Sequence, residues 1–265
     1  MHVLVTGSAG DIGTVVTAGL RRKGYDVRGL DLRPSERPHP DDVVADLLAP
    51  GIADRAVQGV GAVVHLASIP TEASLPEILE SHVHTTGRLL DAMAAAGVRR
   101  FVYASSNHAV GFAARVGRLS VDTLPRPDTF YGVGKVAAEA LCRLYADRHS
   151  IEVVCCRIGS FLPKPTTRRN LSTWLSHGDA VRMVEASLTA PDVDFAVLYG
   201  ISANQRAWWD LGPGHALGYH PQDDAEAYAA EILAEPESAE DRDEAAVVGG
   251  PLAGAAYLRT AFPEA

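Results

Sequence analysis

Three observations predict an α/β protein, a doubly wound parallel sheet with a small C-terminal lobe. Apolar runs of strand length alternate with helix-patterned segments through the first 160 residues. Those runs lack the in-out alternation of a half-solvated sheet, so both faces of each strand are expected to be covered by helices. A glycine-spaced turn, GSAGDIG, joins the first apolar run to the first helical segment, as a parallel βα unit requires.

The elements follow in order. HVLVT (2–6) is the first strand, and a helix is expected near 11–24. YDVRGLD (25–31) is the second strand, and a short third strand precedes Asp46. AVVHLA (62–67) and RFVYASS (100–106) flank a helix near 75–97. A helix over 129–149 leads to IEVVCCRIG (151–159), after which FLPKPTTRRN breaks the rhythm with prolines and basic residues. A helix near 178–190, a strand FAVLYG (195–200) returning to the sheet, and the aromatic stretch SANQRAWWDLG complete the pattern. The expected division is a core of residues 1–160 and a smaller region of residues 161–265. The acidic stretch Glu235–Ala246 reads as solvated, without a chemical role.

With 265 residues and 47% hydrophobic content the chain can bury a sizeable core. A net charge of −9 argues against a nucleic-acid surface, and an acidic ligand would need a local basic pocket. The densest basic cluster is Lys164, Arg168 and Arg169. No apolar run approaches the ~18 residues of a membrane span, and no basic, apolar signal segment opens the chain, so a cytoplasmic protein is expected. Cys142, Cys155 and Cys156 have no C-x-x-C spacing, so neither a disulfide framework nor a metal site is expected.

Gly7, Gly10 and Gly13 stand where a strand turns into a helix N-terminus, the place that receives a pyrophosphate. Asp31 ends the second strand 18 residues after Gly13. A carboxylate there accepts hydrogen bonds from an adenosine ribose and repels a 2′-phosphate, which favours NAD over NADP. Asp46, with Leu47, follows the third strand and is placed to meet the adenine amino group. In TFYGVGKVAAEAL, Tyr131 and Lys135 lie four apart on one helical face, and Gly132 and Gly134 are expected to let something large lie against that face.

With T-G-x-x-G-x-x-G, HLA at 65–67, SSN at 105–107 and Y-x-x-x-K at 131–135, the chain resembles the extended short-chain dehydrogenase/reductase family, of Rossmann fold. The resemblance implies Tyr131 as the proton-transferring group, Lys135 as the holder of the nicotinamide ribose that lowers the Tyr131 pKa, and Ser106 as the anchor of the substrate hydroxyl. It also implies that Gly7, Gly10, Asp11, Ile12, Gly13, Asp31, Asp46, Leu47, Leu66, Ala67, Ser68, Tyr131 and Lys135 contact NAD.

A closer resemblance covers nearly the whole chain. SSNHAVG, RIGSFLPKP, LSTWLSHGD and ISANQRAWWD look like segments of bacterial uronate dehydrogenases, which oxidise glucuronate and galacturonate at C1 to aldarolactones with NAD. It implies a uronic acid held by Ser106, Asn107, His108, Tyr131, Ser160 and Arg169, with Arg169 presenting a planar fork to the carboxylate. His108 is not expected to be the base. Two departures stand out. His84-Thr85-Thr86-Gly87 replaces the usual N-x-x-G, and Pro70 stands where these enzymes place a serine near the sugar, so that hydrogen bond would pass to Ser68 or Thr71. The competing readings are a nucleotide-sugar epimerase or dehydratase of the same fold, and a dinucleotide-sensing module without chemistry. Fold analogy implies a homo-oligomer.

Overall fold

The computed structural model describes residues 1–262. Seven parallel strands form one sheet in the order β3-β2-β1-β4-β5-β6-β9. They are β1 (His2–Thr6), β2 (Asp26–Asp31), β3 (Val43–Val44), β4 (Ala62–His65), β5 (Arg100–Ser106), β6 (Glu152–Ile158) and β9 (Phe195–Gly200). The chain runs outward from β1 to β3, then returns to place β4 on the other side of β1, with Thr6 opposite Leu30 on one side and His65 on the other. That reversal opens a crevice at the carboxyl ends of β1 and β4, where ligands of doubly wound sheets bind.

Strand period two divides the core. Val3, Val5, Val154 and Cys156 face one layer with Val16 and Leu20 of α1 (Asp11–Arg22) and Met183 and Val184 of α7 (His177–Thr189). Leu4, Val153 and Cys155 face the other layer, made by α2 (Ile52–Ala56), α4 (Thr85–Ala96) and α5 (Phe130–His149). Each fully buried Val or Leu contributes ~1.5–3 kcal/mol. The adjacent cysteines therefore point to opposite sides of the sheet, and all three thiols are buried and free.

The expected helix over 75–97 is interrupted. A capping box of Ser74 and Glu77 starts α3 (Leu75–Ile78), a wider π-helical turn runs Leu79–His84, and α4 resumes at Thr85. The Thr85 and Thr86 hydroxyls donate back to the carbonyls of Ser81 and His82, both at 2.6 Å. Thr85 thereby sits against His65, whereas His84, the residue replacing the family asparagine, faces solvent.

Beyond β6 lie the two-residue strands β7 (Ser160–Phe161) and β8 (Trp174–Leu175), paired with each other, and between them the single turn α6 (Asn170–Thr173). Trp209 is buried against Tyr199 with ring centroids 5.4 Å apart, so the WWD stretch packs on the edge of the sheet. The short helices α8 (Gly212–Ala216), α9 (Ala229–Ile232) and α10 (Ala239–Ala245) follow. The acidic stretch is not simply solvated, because the half-buried Asp241 of α10 pairs with Arg168 at 3.7 Å. Among the described residues no helix is long and apolar enough to cross a membrane.

Candidate active site

A cleft of about 880 Å³ opens at the crevice between β1 and β4. Its walls include Gly7, Gly10, Asp11, Ile12, Gly13, Asp31, Asp46, Leu47, Leu66, Ala67, Ser68, Tyr131 and Lys135, every residue expected to meet a dinucleotide. The local chemistry suits that ligand. The α1 N-terminus opens on Gly10, whose own side of the turn carries no side chain to cap it. A Cβ on Gly13 would lie 1.9 Å from the Gly7 carbonyl oxygen, so the turn closes only with glycine there. Asp31 is braced by the backbone N–H groups of Ala9 (3.0 Å) and Arg33 (3.1 Å), which aligns its carboxylate beside the loop.

Tyr131, Lys135 and Ser106 line the same cleft. Thr129 caps α5 by accepting from Gly132 N–H at 3.0 Å. The buried Glu72, far away in sequence, accepts from the N–H groups of Phe130 (3.1 Å) and Tyr131 (2.8 Å). A carboxylate at a helix N-terminus is favoured by the exposed donors and the helix dipole. Glu72 thus fixes the first turn of α5 to the loop that carries Ser68, and nothing in its local sequence marks it for that role.

The glycines of this helix serve a different purpose from the one expected. A Cβ on Gly132 would come 2.5 Å from the His108 carbonyl oxygen, and one on Gly134 would come 2.5 Å from Ile78 Cγ2. They seat the helix against protein, not against a ligand. This close seating places Tyr131 edge-on to His82 and His108, with centroids 5.3 Å and 5.7 Å away.

Lys135 Nζ donates to the Ala104 carbonyl (2.7 Å) and Ser68 Oγ (3.2 Å) and lies 5.4 Å from the Tyr131 ring centroid. Burial pushes its ammonium down to about 7, opposed by Glu139 one turn further along the helix. Glu139 is itself held by Arg157 at 2.8 Å and by Ser105. The expected lowering of Tyr131 is absent in the chain alone. Burial raises the phenol and Asp128 adds to it, while a hydrogen bond with Ser106 pulls it down. His65 and His82 are kept neutral mainly by burial, at about 3 and about 2.

Asn107, His108, Ser160 and Arg169 lie beyond the cleft walls as one polar cluster. Arg169 Nη1 donates to Ser160 Oγ at 3.2 Å, and Nη2 donates to the Val248 carbonyl at 2.7 Å. With the Asn107 amide nitrogen toward the Ile158 carbonyl (3.1 Å), its oxygen accepts from Arg169 Nη2 at 3.0 Å, so both ends are satisfied. Ser160 also shares a 2.8 Å hydrogen bond with Thr173, the threonine of the LSTW segment. His108 Nδ1 meets the buried Asp128 at 2.7 Å. The basic cluster expected from sequence does not act as a unit. Lys164 pairs with Glu231 and Arg168 with Asp241 on the outside, and only Arg169 turns inward. Of the candidates to replace the serine at Pro70, Ser68 is engaged by Lys135 and Thr71 is exposed.

A cleft shaped for a dinucleotide, ending on a serine, a tyrosine and a lysine, defines a dehydrogenase-type site. The model of the NAD dependent epimerase/dehydratase family matches residues 3–186, and the chain belongs to that family. It is 36% identical to a uronate dehydrogenase of Pseudomonas syringae pv. tomato over 94% of this chain and 92% of the relative. It is also 36% identical to an NAD-dependent glucose-6-phosphate dehydrogenase of Haloferax volcanii, over 86% of this chain and 96% of that one. Among solved structures, a mutant uronate dehydrogenase of Agrobacterium tumefaciens complexed with NAD superposes with a TM-score of 0.90 at 34% identity, covering 99% of both chains.

Proposed function

We propose that this protein is an NAD-dependent dehydrogenase that oxidises the C1 hydroxyl of a uronic acid, glucuronate or galacturonate, to the aldarolactone. The observation that carries the reading is the position of Arg169. Its guanidinium is bonded to Ser160 and Asn107, and Asn107 directly follows Ser106, so an acid-binding fork stands beside the serine that anchors the reacting hydroxyl.

Bound NAD supplies the hydride acceptor and a positive charge beside the tyrosine. In the chain itself, Ser106 holds the C1 hydroxyl and Tyr131 takes its proton. Lys135, anchored on Ala104 and Ser68, stabilises the phenolate and offers its ammonium to the ribose of the cofactor. Asp31 accepts the adenosine ribose hydroxyls and Asp46 faces the adenine. Asn107, His108 and Ser160 hold the sugar hydroxyls, and Arg169 exchanges its bonds to Ser160 and Asn107 for two parallel hydrogen bonds to the carboxylate.

A sugar phosphate is the second reading, favoured by the glucose-6-phosphate dehydrogenase relative. A dianionic phosphate calls for more than one cation, and Lys164 and Arg168 are paired away from the site, which favours the monoanionic acid. The proposal assigns cofactor binding and the contacts to the sugar hydroxyls to the core of residues 1–160, and the contact to the carboxylate to the smaller region of residues 161–265. It includes a cytoplasmic, self-associating enzyme, in keeping with three buried free thiols. Initial rates with NAD and glucuronate, galacturonate, glucose 6-phosphate or arabinose, followed at the NADH absorbance, test it. Higher kcat/KM for the phosphate or for arabinose than for both uronates overturns it.

A further inference from the structure

The segment after the acidic stretch is zipped to the chain that follows Ser106. Val247 and Ala114 form an antiparallel bridge, Val248 N–H donates to the Ala113 carbonyl at 3.0 Å, and Gly249 N–H donates to the Gly111 carbonyl at 2.8 Å. Val248 is fully buried, and its carbonyl receives Arg169 Nη2 at 2.7 Å. The next two residues are glycines, each against a different anchor of the site. A Cβ on Gly249 would lie 1.7 Å from Asp128 Oδ2, the oxygen that meets His108. Gly250 has φ +57°, and a Cβ there would lie 2.3 Å from Arg169 Nε.

We infer that the strap Val247–Gly250 is a specificity-determining part of the sugar-acid site, in which the Val248 carbonyl and the bare backbone of Gly249 and Gly250 seat Arg169 and the His108–Asp128 pair. The inference rests on the uronate reading above. A guanidinium on its flexible stem discriminates between ligands by the direction of its fork, and direction is lost when the stem can rotate. Here Ser160 and Asn107 hold the fork from the sheet side and Val248 holds it from the strap side. The carbonyl is a backbone group, so only displacement of the strap removes it. Any side chain at 250 displaces either the strap or Arg169, and any side chain at 249 displaces either the strap or Asp128. The change at 249 also reaches Tyr131, because Asp128 holds His108, whose ring packs against the phenol; the change at 250 meets Arg169 alone and leaves the dinucleotide cleft untouched.

The test is Gly250→Ala in the full chain, assayed with NAD on glucuronate, galacturonate, glucose and galactose. kcat/KM for the acids is expected to fall about 10-fold or more beyond the fall for the neutral sugars, which feel only the shift of Ser160 and Asn107, with the NADH dissociation constant near that of the parent. Gly250→Asn makes the same contact with Arg169 in a residue that tolerates the left-handed backbone, and it decides the matter if the alanine variant does not fold. Gly218→Ala is the control, because Gly218 has φ +85° with nothing near its Cβ position. It carries backbone strain without the contact, and its acid-to-neutral ratio should equal the parent's. Equal losses on acids and neutral sugars, or an unchanged ratio in both Gly250 variants, overturn the role of the strap. If the parent itself fails to prefer acids over neutral sugars, the uronate reading has failed instead.

Discussion

Arg169→Met keeps a long, unbranched side chain behind Ser160 and removes the fork. In the free chain the change deprives the Val248 carbonyl (2.7 Å) and the Asn107 amide oxygen (3.0 Å) of a charged donor. That loss weakens all substrates alike. The carboxylate of a uronic acid loses in addition a hydrogen bond to a charged group, worth ~1.5–3 kcal/mol. At about 1.4 kcal/mol per factor of ten, this predicts a fall of roughly 10- to 150-fold in kcat/KM for the acids beyond the fall for glucose and galactose. Lysine should restore only part of the difference, since a point charge cannot reproduce two parallel bonds. Initial rates on both acids and both neutral sugars, for parent, Met and Lys forms, give the ratio directly. An acid-to-neutral ratio unchanged in the Met form would remove Arg169 from the carboxylate site.

Four further outcomes are expected. Tyr131→Phe should cost about 10²- to 10⁴-fold in kcat with NADH affinity near normal, and retention of most of the rate would reassign the base. Asp31→Ala should weaken NAD and narrow its preference over NADP, checked by kcat/KM for both cofactors; equal use of NADP by the parent would refute the role given to Asp31. Glu72→Ala removes both carboxylate bonds to the start of α5 and should lower stability by ~1–3 kcal/mol and kcat together, with Glu72→Gln recovering part of each, read by urea unfolding and initial rates. His65 and His82 are depressed from 6.5 to about 3 and about 2, so below pH 6.5 the unfolded chain binds protons that the folded chain does not. Stability should therefore fall on acidification from pH 6.5 toward 3, by up to about 1.4 kcal/mol per pH unit for each histidine. Urea titrations over that range measure the slope, and His82→Gln should flatten it.

The sequence by itself determined the features that repeat with a local period or sit at a fixed short spacing. Parallel strands covered on both faces are visible as apolar runs, the Gly7-Gly10-Gly13 turn lies within seven residues, and Tyr131 and Lys135 are one helical turn apart. Tertiary structure decided what depends on residues distant along the chain. Glu72 reaches the α5 N-terminus across 58 or 59 positions, and Val248 reaches Arg169 across 79. No periodicity in either segment records such a meeting. The inward turn of Arg169 beside the outward Arg168 is likewise a matter of which partner each finds, Ser160 and Val248 for one and Asp241 for the other. The two glycines of α5 show the limit most clearly. Their sequence says that something packs closely against the helix, and only the folded chain shows that the neighbour is the His108 carbonyl and Ile78, because a missing side chain marks a close approach without naming what approaches.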